Sequence, residues 1–463
     1  MTIQVSSPNR PAHNDGASPV QETTLSKLLN IRQPLSDCLI QPDIISRLQD
    51  SRDRAADEVR SLAFPSRRDE EWRFTDLTSI QSIDFQPPVS GQLSADAQRS
   101  IQSFLLEEAS GRHCVFVDGQ FNSTLSTLDD LPDGVTVTNL SGLGDRPDIA
   151  EELATYVAQQ KGLEQTFTAL NTASFTDVVV IVVDKHVTSR SPVQVLFVST
   201  AGEQPTLTHP RCLIVAKANS DVSIIEDFVA VGSGTYFTNA VTEIWVHDNA
   251  RVHHTRIQRD RSTAAHIGKT IVNQARSSSY DSHAINLGAR IGRHNLEVFQ
   301  TGEATETILN GLSVVSGDQL VDTHSLINYT KPHGTSRQIY KAIVDGKAHS
   351  VFNGKVYVPT TAQLTDAAQL NQNLLLSPKG RVDTKPQLEI VADNVKCTHG
   401  ATVSQLDSDE VFYLQSRGID AERAQNLLIY AFAAEIIQQI SIPSLQHALF
   451  QSIETLTGTS LSS

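Results

Sequence analysis

The stretch VSIIEDFVAVGSGTYFTNAVTEIWVHDNARVHHTRI, residues 222–257, decides the fold class of this chain. Short runs rich in Val, Ile, Thr and aromatic residues alternate there with small polar turns such as Asp248-Asn249-Ala250. Side chains of these types favour β-strands, and the turn residues between them end each strand. The same pattern extends from residue 177 to about 403 without an amphipathic stretch of helix length. We predict a mainly β domain whose strands are too numerous and too short for a βαβ sheet.

Two β architectures fit this pattern. In a sandwich or barrel, tight hairpins join neighbouring strands, whereas in a β-solenoid the strands stack as rungs of a coil. Turn markers recur loosely, with 15 residues from Gly302 to Gly317 and 29 from Gly317 to Gly346, near twice that interval. This loose period suits a solenoid, but by itself it leaves the sandwich open. Tight hairpin signals are few: Asn310-Gly311, Asp345-Gly346 and Asn353-Gly354.

Helical patterns flank the β region on both sides. Residues 1–22, rich in Ser, Pro, Asn and Gly, predict a disordered tail, and residues 23–175 predict a mostly helical domain. The predicted β core occupies 176–408, and a C-terminal helical domain occupies 409–463. The main helix of that last domain begins after Asp420, a favourable N-cap residue, and its apolar residues recur at helical spacing.

Composition argues against several classes of protein. With 37 Lys and Arg against 52 Asp and Glu in 463 residues, the net charge of −15 disfavours nucleic acid or an anionic membrane as the main partner. No run of about 18 apolar residues predicts a membrane-spanning helix. Four dispersed cysteines, without a CxxC pair, are too few for a disulfide framework. The first residues carry no secretory signal pattern, so we expect a cytoplasmic protein.

Common catalytic and metal-binding signatures do not occur in the sequence. It contains no P-loop, no GxSxG elbow, no HExxH and no GxGxxG after a strand. His253 and His254 are adjacent in a predicted strand, so their rings point to opposite faces and cannot bind one metal together. We interpret one of them as a core residue and the other as a surface residue.

The segment VKCTHG, residues 395–400, carries the main candidate site. In a strand, Cys397 and His399 project from the same face, about 7 Å apart. A thiolate and an imidazole suit iron or zinc, but two ligands do not complete a tetrahedral ion or a cluster. The pair is therefore either half of a site that another subunit completes, or a buried cysteine and a hydrogen-bonded histidine with no metal role.

The segment DEEWRFT, residues 69–75, is a second candidate. Acidic residues precede Trp72 and Phe74, and Arg67, Arg68 and Arg73 lie nearby. Such a segment can present an interaction face to a partner. We favour the alternative, in which it anchors the helical domain on the β core.

These same residues carry a family resemblance. Residues 353–418, which include TKPQLEI and KCTHGAT, resemble the SufB/SufD family of iron–sulfur cluster assembly proteins, as do DEEWRFT and the SRGI that precedes the apolar helix. The resemblance covers roughly residues 60–440. Within the family the chain is similar to the SufD type: SufB-type chains have a cysteine in the rung that reads QLNQN here, at 369–373, and His-Glu at His399-Gly400.

The resemblance implies a right-handed parallel β-helix flanked by an N-terminal helical (α/β) domain and a C-terminal helical domain. It also implies a non-catalytic scaffold subunit of a SufB–SufC–SufD complex, in which SufB-like and SufD-like chains pair through their β-helices. His399 then supplies a ligand opposite a cysteine of the SufB-like partner, with Cys397 as its neighbour. No cofactor is expected to be permanently bound, and iron or an iron–sulfur cluster is held transiently. A homodimer is an option for the isolated chain.

In this family each scaffold subunit holds a SufC-like ABC-type ATPase through its C-terminal helices. The contact is expected on the helices from Asp420 to Gln439 and on the Phe412–Gly418 segment before them. The individual residues expected to make it are Arg417, Gly418, Ile419, Leu427, Leu428 and Phe432. Two other functions stay open at this point. One is a passive structural solenoid, and the other is a β-helix carbohydrate-active enzyme, for which the candidate acidic residues are Asp366, Asp383 and Glu389.

Overall fold

A computed structural model describes residues 23–36, 41–89, 93–144, 146–160, 162 and 165–457. The predicted tail at residues 1–22 lies outside this range. The α-helices of the described part are α1 (Thr24–Asn30), α2 (Pro42–Ser61), α3 (Thr78–Gln81), α4 (Ala95–Gln102), α5 (Pro147–Tyr156), α6 (Thr166–Ser174), α7 (Ser408–Ser416), α8 (Ala421–Ile437) and α9 (Pro443–Thr457). Single turns of 3₁₀-helix occupy Glu70–Trp72, Glu107–Ala109 and Ser141–Leu143.

Strands make up most of the molecule between the two helical ends. They are β1 (His113–Val117), β2 (Gln120–Phe121), β3 (Val135–Thr138), β4 (Val179–Val183), β5 (Thr188–Ala201), β6 (Thr206–Thr208), β7 (Arg211–Ala216), β8 (Asp221–Gly232), β9 (Tyr236–Val246), β10 (Arg251–Gln258), β11 (Ala265–Gln274), β12 (Ser279–Asn286), β13 (Ile291–Gln300), β14 (Glu306–Val315), β15 (Leu320–Tyr329), β16 (Thr335–Val344), β17 (His349–Val358), β18 (Asp366–Leu375), β19 (Arg381–Ile390) and β20 (Lys396–Gln405).

These strands form two sheets of ten. Sheet I runs β19-β17-β15-β13-β11-β9-β7-β4-β3, with β6 paired to β9, and sheet II runs β2-β1-β5-β8-β10-β12-β14-β16-β18-β20. From β7 onward the chain alternates between the sheets, so each strand pairs in parallel with the strand two positions along. The chain is therefore a parallel β-helix of about eight turns, as the resemblance implied, and a hairpin sandwich is wrong.

The turn spacing in the sequence has a simple origin. Gly317 and Gly346, with φ of 62° and 61°, occupy the same corner in successive turns, after β14 and β16. Gly302 lies at a different corner, between β13 and β14. One full turn thus takes about 29 residues and two strands, and the 15-residue interval is half a turn. Glycine suits the shared corner because its left-handed backbone conformation is unfavourable for residues with a Cβ.

The two ends of the coil are built differently. At the N-terminal end, β3 pairs antiparallel with β4, and β1 carries the short antiparallel strand β2. At the C-terminal end, β19 and β20 are the last strands of their sheets, and each has one edge that pairs with no other described strand. This open end follows directly from the end of the strand-forming sequence before α7.

Helices cover the outer faces of the two sheets. On sheet I, α6 and α2 bury a cluster that includes Phe167, Leu170 and Ile267. On sheet II, α8 and α9 bury a stripe of apolar residues that includes Ile436 and Leu449. The predicted cap is confirmed, because the Asp420 side chain accepts a hydrogen bond of 2.9 Å from the backbone N–H of Arg423. The C-terminal helices therefore share an apolar core with the β-helix, and burial of that core stabilises both.

The DEEWRFT segment anchors the N-terminal region on sheet I. The Trp72 ring lies 5.4 Å from that of Phe167, and the Arg293 guanidinium sits 3.9 Å from the Trp72 ring centroid. Thr75 is fully buried and donates a hydrogen bond to Asp322 on β15. These contacts support the anchor interpretation. The histidine pair also divides as expected, with His254 buried and His253 exposed.

Candidate functional site

Cys397 and His399 lie at the open end of the β-helix. Both are on β20, the last strand of sheet II, where Cys397 pairs with Ala367 and His399 pairs with Gln369 of the preceding strand. Because the strands are parallel and in register, paired residues share a face of the sheet. We name the residues on the inner face of these last two strands the lumen mouth; they are Ala367, Gln369, Asn371, Asn373, Cys397, His399, Ala401 and Val403.

The two predicted site residues have different environments. Cys397 is partly buried and packs against the apolar core of the lumen. Burial and the charge of Asp366 raise the pKa of the Cys397 thiol above its ordinary value, which favours the protonated form. His399 is exposed, and its ring makes no hydrogen bond to any residue that the structure describes. The same-face prediction holds, and the open end leaves one residue packed and the other free to meet a ligand.

Gln369 is a polar residue of the mouth that motif reasoning missed. It is only 3% exposed, and neither its amide nitrogen nor its amide oxygen has a hydrogen-bond partner in the described structure. The Asn373 side-chain oxygen is also unpartnered, although its nitrogen donates to Asn371 at 2.6 Å. Buried polar groups are normally paired, so these free atoms leave unused hydrogen-bonding capacity beside His399.

Apolar residues surround the open end. Ile390, Val391 and Val403 are 40%, 57% and 48% exposed, at the ends of β19 and β20. Unpaired strand edges beside exposed aliphatic side chains invite a further strand or another protein. The lumen mouth therefore lies at the centre of a surface with the features of an interface.

The middle of the lumen contains a polar network around Glu226. Glu226 lies 2.8 Å from both His254 and the Thr242 hydroxyl, and His254 also contacts Tyr280 at 2.9 Å. Burial raises the pKa of the Glu226 carboxyl, but the hydrogen bond and charge of His254 outweigh it and leave the pKa below its ordinary value. These side chains satisfy one another, and no group of three or more His, Cys, Asp or Glu residues in the described structure has a metal-binding arrangement.

The residues expected to contact an ATPase fall into two groups. Arg417 and Gly418 are exposed, while Ile419, Leu427 and Leu428 are half-buried near the α7–α8 turn. Phe432 faces the β-helix instead, because its ring lies 4.3 Å from the Lys341 ammonium group on β16. The expected contact also included the segment Phe412–Gly418, whose aromatic residues on α7 are the most exposed of this region, Phe412 at 70% and Tyr413 at 58%.

Two family models match the chain. The model of the SufBD core domain of the SUF system for iron–sulfur cluster assembly matches residues 197–432, just over half of the chain, and the SufBD protein N-terminal region matches residues 35–195. The chain belongs to the SufBD family. The core match spans the β-helix and reaches into α8, so it includes Cys397, His399 and both open strands.

Relatives agree with this assignment. A SufBD family iron–sulfur cluster assembly protein of Synechocystis sp. is 43% identical over 89% of this chain and 92% of its own length. The chloroplastic protein ABCI7 of Arabidopsis thaliana is 34% identical over 89% of this chain and 87% of its own. The iron–sulfur cluster assembly protein SufD of Escherichia coli is 31% identical over 83% of this chain and 87% of its own. None of the helices described here is long and apolar enough to cross a membrane.

The acidic residues of the carbohydrate-enzyme alternative do not form a site. Asp383 and Glu389 are six residues apart on β19, about 20 Å along an extended strand, whereas a glycosidase pair lies within about 10 Å. Each acidic side chain is also held by its own basic neighbour, in the pairs Asp366–Arg337 at 2.9 Å, Asp383–His349 at 2.7 Å and Glu389–Lys355 at 2.7 Å. We therefore leave this alternative aside.

Proposed function

We propose that this SufBD family member is a SufD-like scaffold subunit that presents His399 to a nascent iron–sulfur cluster at an interface with a SufB-like partner. The observation that carries this proposal is an exposed imidazole without a hydrogen-bond partner at the open end of the β-helix. His254, on the inner face in the middle of the lumen, is by contrast buried and hydrogen-bonded. The chain catalyses no reaction by itself in this proposal.

The geometry of the open end supports strand-to-strand docking of a similar β-helix. The free edges of β19 and β20 offer backbone N–H and C=O groups, and the apolar residues beside them offer area to bury. A partner that continues both sheets would enclose the lumen mouth. His399 would then face the partner from within the interface, where water is scarce and ligand bonds are stronger.

The residues of the lumen mouth can supply only part of the ligand set of an iron–sulfur cluster. A neutral imidazole binds iron through one ring nitrogen, and clusters usually take four protein ligands that are mostly thiolates. This chain offers His399, whereas the thiol of Cys397 is partly packed in the lumen and prefers to stay protonated. The thiolates would come from the SufB-like partner. Iron and sulfide are cargo here, and a set of ligands divided between two subunits releases its product when the interface opens.

Opening and closing of that interface would be driven by a SufC-like ABC-type ATPase. We propose that it binds α7, the α7–α8 turn and α8, at Arg417, Gly418, Ile419, Leu427 and Leu428. Phe412 and Tyr413 on α7 would be its exposed aromatic anchors. Phe432 contributes less, because it already packs on Lys341. Nucleotide binding would act as a population shift between open and closed interfaces.

Because Phe412 is an exposed anchor of this contact, Phe412→Ser should weaken capture of the ATPase.

The deciding experiment compares two exposed histidines. The full chain and its His399→Ala and His253→Ala variants are co-expressed with SufB-like and SufC-like partners, purified anaerobically and supplied with iron and sulfide. All three complexes should assemble, since both side chains are exposed. Cluster absorbance should be lost with His399→Ala and retained with His253→Ala. Equal cluster yields in all three complexes would leave only a passive structural role.

Two properties remain part of the proposal. In the absence of a SufB-like chain, the same open edges would pair with a second copy of this chain, so the isolated protein would be a homodimer. We also propose a cytoplasmic location, although the name of the Arabidopsis relative places that protein in the chloroplast.

A further inference from the structure

A column of three polar side chains leads from the lumen to its mouth. Gln338 on β16 pairs with Gln369 on β18, which pairs with His399 on β20. Successive strands of a sheet are about 4.8 Å apart, so the three side chains stack on one inner face. The column begins in the closed lumen, where Gln338 is 2% exposed, and ends at an exposed ring.

The number of hydrogen-bonded side-chain atoms in this column decreases toward the mouth. The Ser325 hydroxyl donates to the Gln338 side-chain oxygen at 2.9 Å, while the Gln338 amide nitrogen has no partner. Both amide atoms of Gln369 are unpartnered, and the ring of His399 forms no hydrogen bond with the described residues. A buried carboxamide without partners is unfavourable, so a neighbour that satisfies it has an energetic advantage. The ring of His399 is the next side chain of the column and can act as that neighbour.

The space for Gln369 is kept open by a glycine on the opposite sheet. A Cβ on Gly354 of β17 would lie 1.9 Å from the Gln369 amide nitrogen. The carboxamide of Gln369 therefore reaches across the lumen to the backbone of Gly354. It is the far end of a flexible side chain. Contact with the His399 ring requires a rotation about its outer torsions, and the two residues are register partners on neighbouring strands.

We propose that Gln369 is the positioning residue for His399, its side-chain oxygen accepting the N–H of one ring nitrogen so that the other nitrogen faces the interface with a free lone pair. A histidine that binds a metal commonly donates its other N–H to such an acceptor, which sets the tautomer and the orientation of the ring. The structure does not contain this hydrogen bond, because both amide atoms of Gln369 are unpartnered in it; we propose that it forms in the isolated chain when the carboxamide rotates. Its use in holding cluster iron rests on the proposed function.

The test reads the tautomer of His399 directly. The full-length chain is labelled with ¹⁵N-histidine, the two ring nitrogens are observed by NMR at a pH where the ring is neutral, and the signal is assigned with His399→Gln. One tautomer should dominate in the unmodified chain. Gln369→Met, which keeps the length but removes the acceptor, should increase the minor tautomer several-fold. Gln338→Met, one turn deeper in the same column, is the matched control and should leave the His399 signals unchanged.

A second variant gives the direction of the hydrogen bond and covers the case in which Gln369→Met does not fold. Gln369→Glu can only accept when ionised, so it should preserve the dominant tautomer. A switch to the opposite tautomer would mean that Gln369 donates to the ring, and unchanged signals in Gln369→Met would mean that it does not contact the ring. Either result overturns the proposal.

Cluster formation in the reconstituted complex separates this proposal from the function on which it rests. Gln369→Met should lower cluster yield several-fold, less than His399→Ala, and Gln369→Glu should restore much of it. If Gln369→Met shifts the tautomer while His399→Ala still forms clusters, the positioning stands and the proposed function fails. If His399→Ala abolishes clusters and Gln369→Met changes neither the tautomer nor the yield, the positioning fails and the proposed function stands.

Discussion

The two ends of the β-helix differ in how the sheets are terminated. At the N-terminal end, antiparallel strands β2 and β3 flank the sheets, and helices cover the strands that follow. At the C-terminal end, β19 and β20 stop with free edges, exposed aliphatic residues and an exposed histidine. A free strand edge is a liability that proteins normally block. The two ends therefore differ in strand direction and in cover: the last strands are antiparallel at the N-terminal end, and at the C-terminal end they are parallel and lie beside exposed aliphatic residues.

A related difference runs along the lumen. In its middle, Glu226, His254 and Thr242 satisfy one another, although Gln258, His294 and Gln300 each keep one unpartnered side-chain atom. In its mouth, Gln369 and His399 have no such partners among the described residues. We therefore expect substitutions in the middle to change folding stability and substitutions at the mouth to change assembly and cluster formation.

The largest effect should come from the middle of the lumen. Glu226→Leu removes the carboxylate from a fully buried network and leaves His254 without its acidic partner. Breaking such a buried pair costs about 3–5 kcal/mol of unfolding free energy, measurable by urea denaturation. A loss below about 1 kcal/mol would contradict the view that this network stabilises the coil.

A charge on the open edge should act on assembly instead. Val403→Asp places a carboxylate where a docked partner would bury it, which we expect to cost about 2 kcal/mol, or roughly 30-fold in Kd for the SufB-like chain. Val89→Asp, at an exposed apolar residue outside β19 and β20, is the control and should bind normally. Similar losses in both variants would remove the distinction between the open end and the rest of the surface.

A smaller effect should appear on acidification. Burial lowers the pKa of His294 well below its ordinary value, and the nearby charges of Arg256, His254 and His266 act in the same direction. Below pH 6.5 the unfolded chain therefore takes up a proton that the folded chain refuses, so stability falls with decreasing pH. From pH 7.5 to 5.5 this one group should contribute about 1.4 kcal/mol of loss.

The measurement is a comparison of pH profiles of unfolding. His294→Gln should flatten the acidic limb by that amount, and the exposed His447→Gln serves as the control. Parallel profiles for the unmodified chain and His294→Gln would show that the buried ring does not oppose protonation.

The smallest effect should be that of His399→Ala on folding. Its side chain is exposed and makes no hydrogen bond to the described residues, so the free energy of unfolding should change by less than about 0.5 kcal/mol. Denaturation curves of the isolated chain check this value. A clearly larger loss would mean that the ring supports its own subunit and is not held available for a partner.

Much of the fold could be predicted from local sequence. Val-, Ile- and Thr-rich runs marked the strands, Asp420 marked the start of α8, and alternation along a strand separated His253 from His254. The repeat length of the coil was harder to interpret. The interval from Gly302 to Gly317 is half a turn and that from Gly317 to Gly346 is a full turn, but the sequence shows a glycine at all three positions. The choice between sandwich and β-helix came from the resemblance, since local patterns do not encode which strands pair.

The candidate site also has one part that the sequence predicts and another that only the structure reveals. The sequence by itself determined that Cys397 and His399 share a face of one strand, because side chains alternate along every strand. Only the tertiary structure decided that Gln338 and Gln369 are sealed in the lumen while His399, in the same column, meets the solvent. In a β-helix the burial of an inner residue depends on whether another turn lies above it, and that turn is about 29 residues away along the chain.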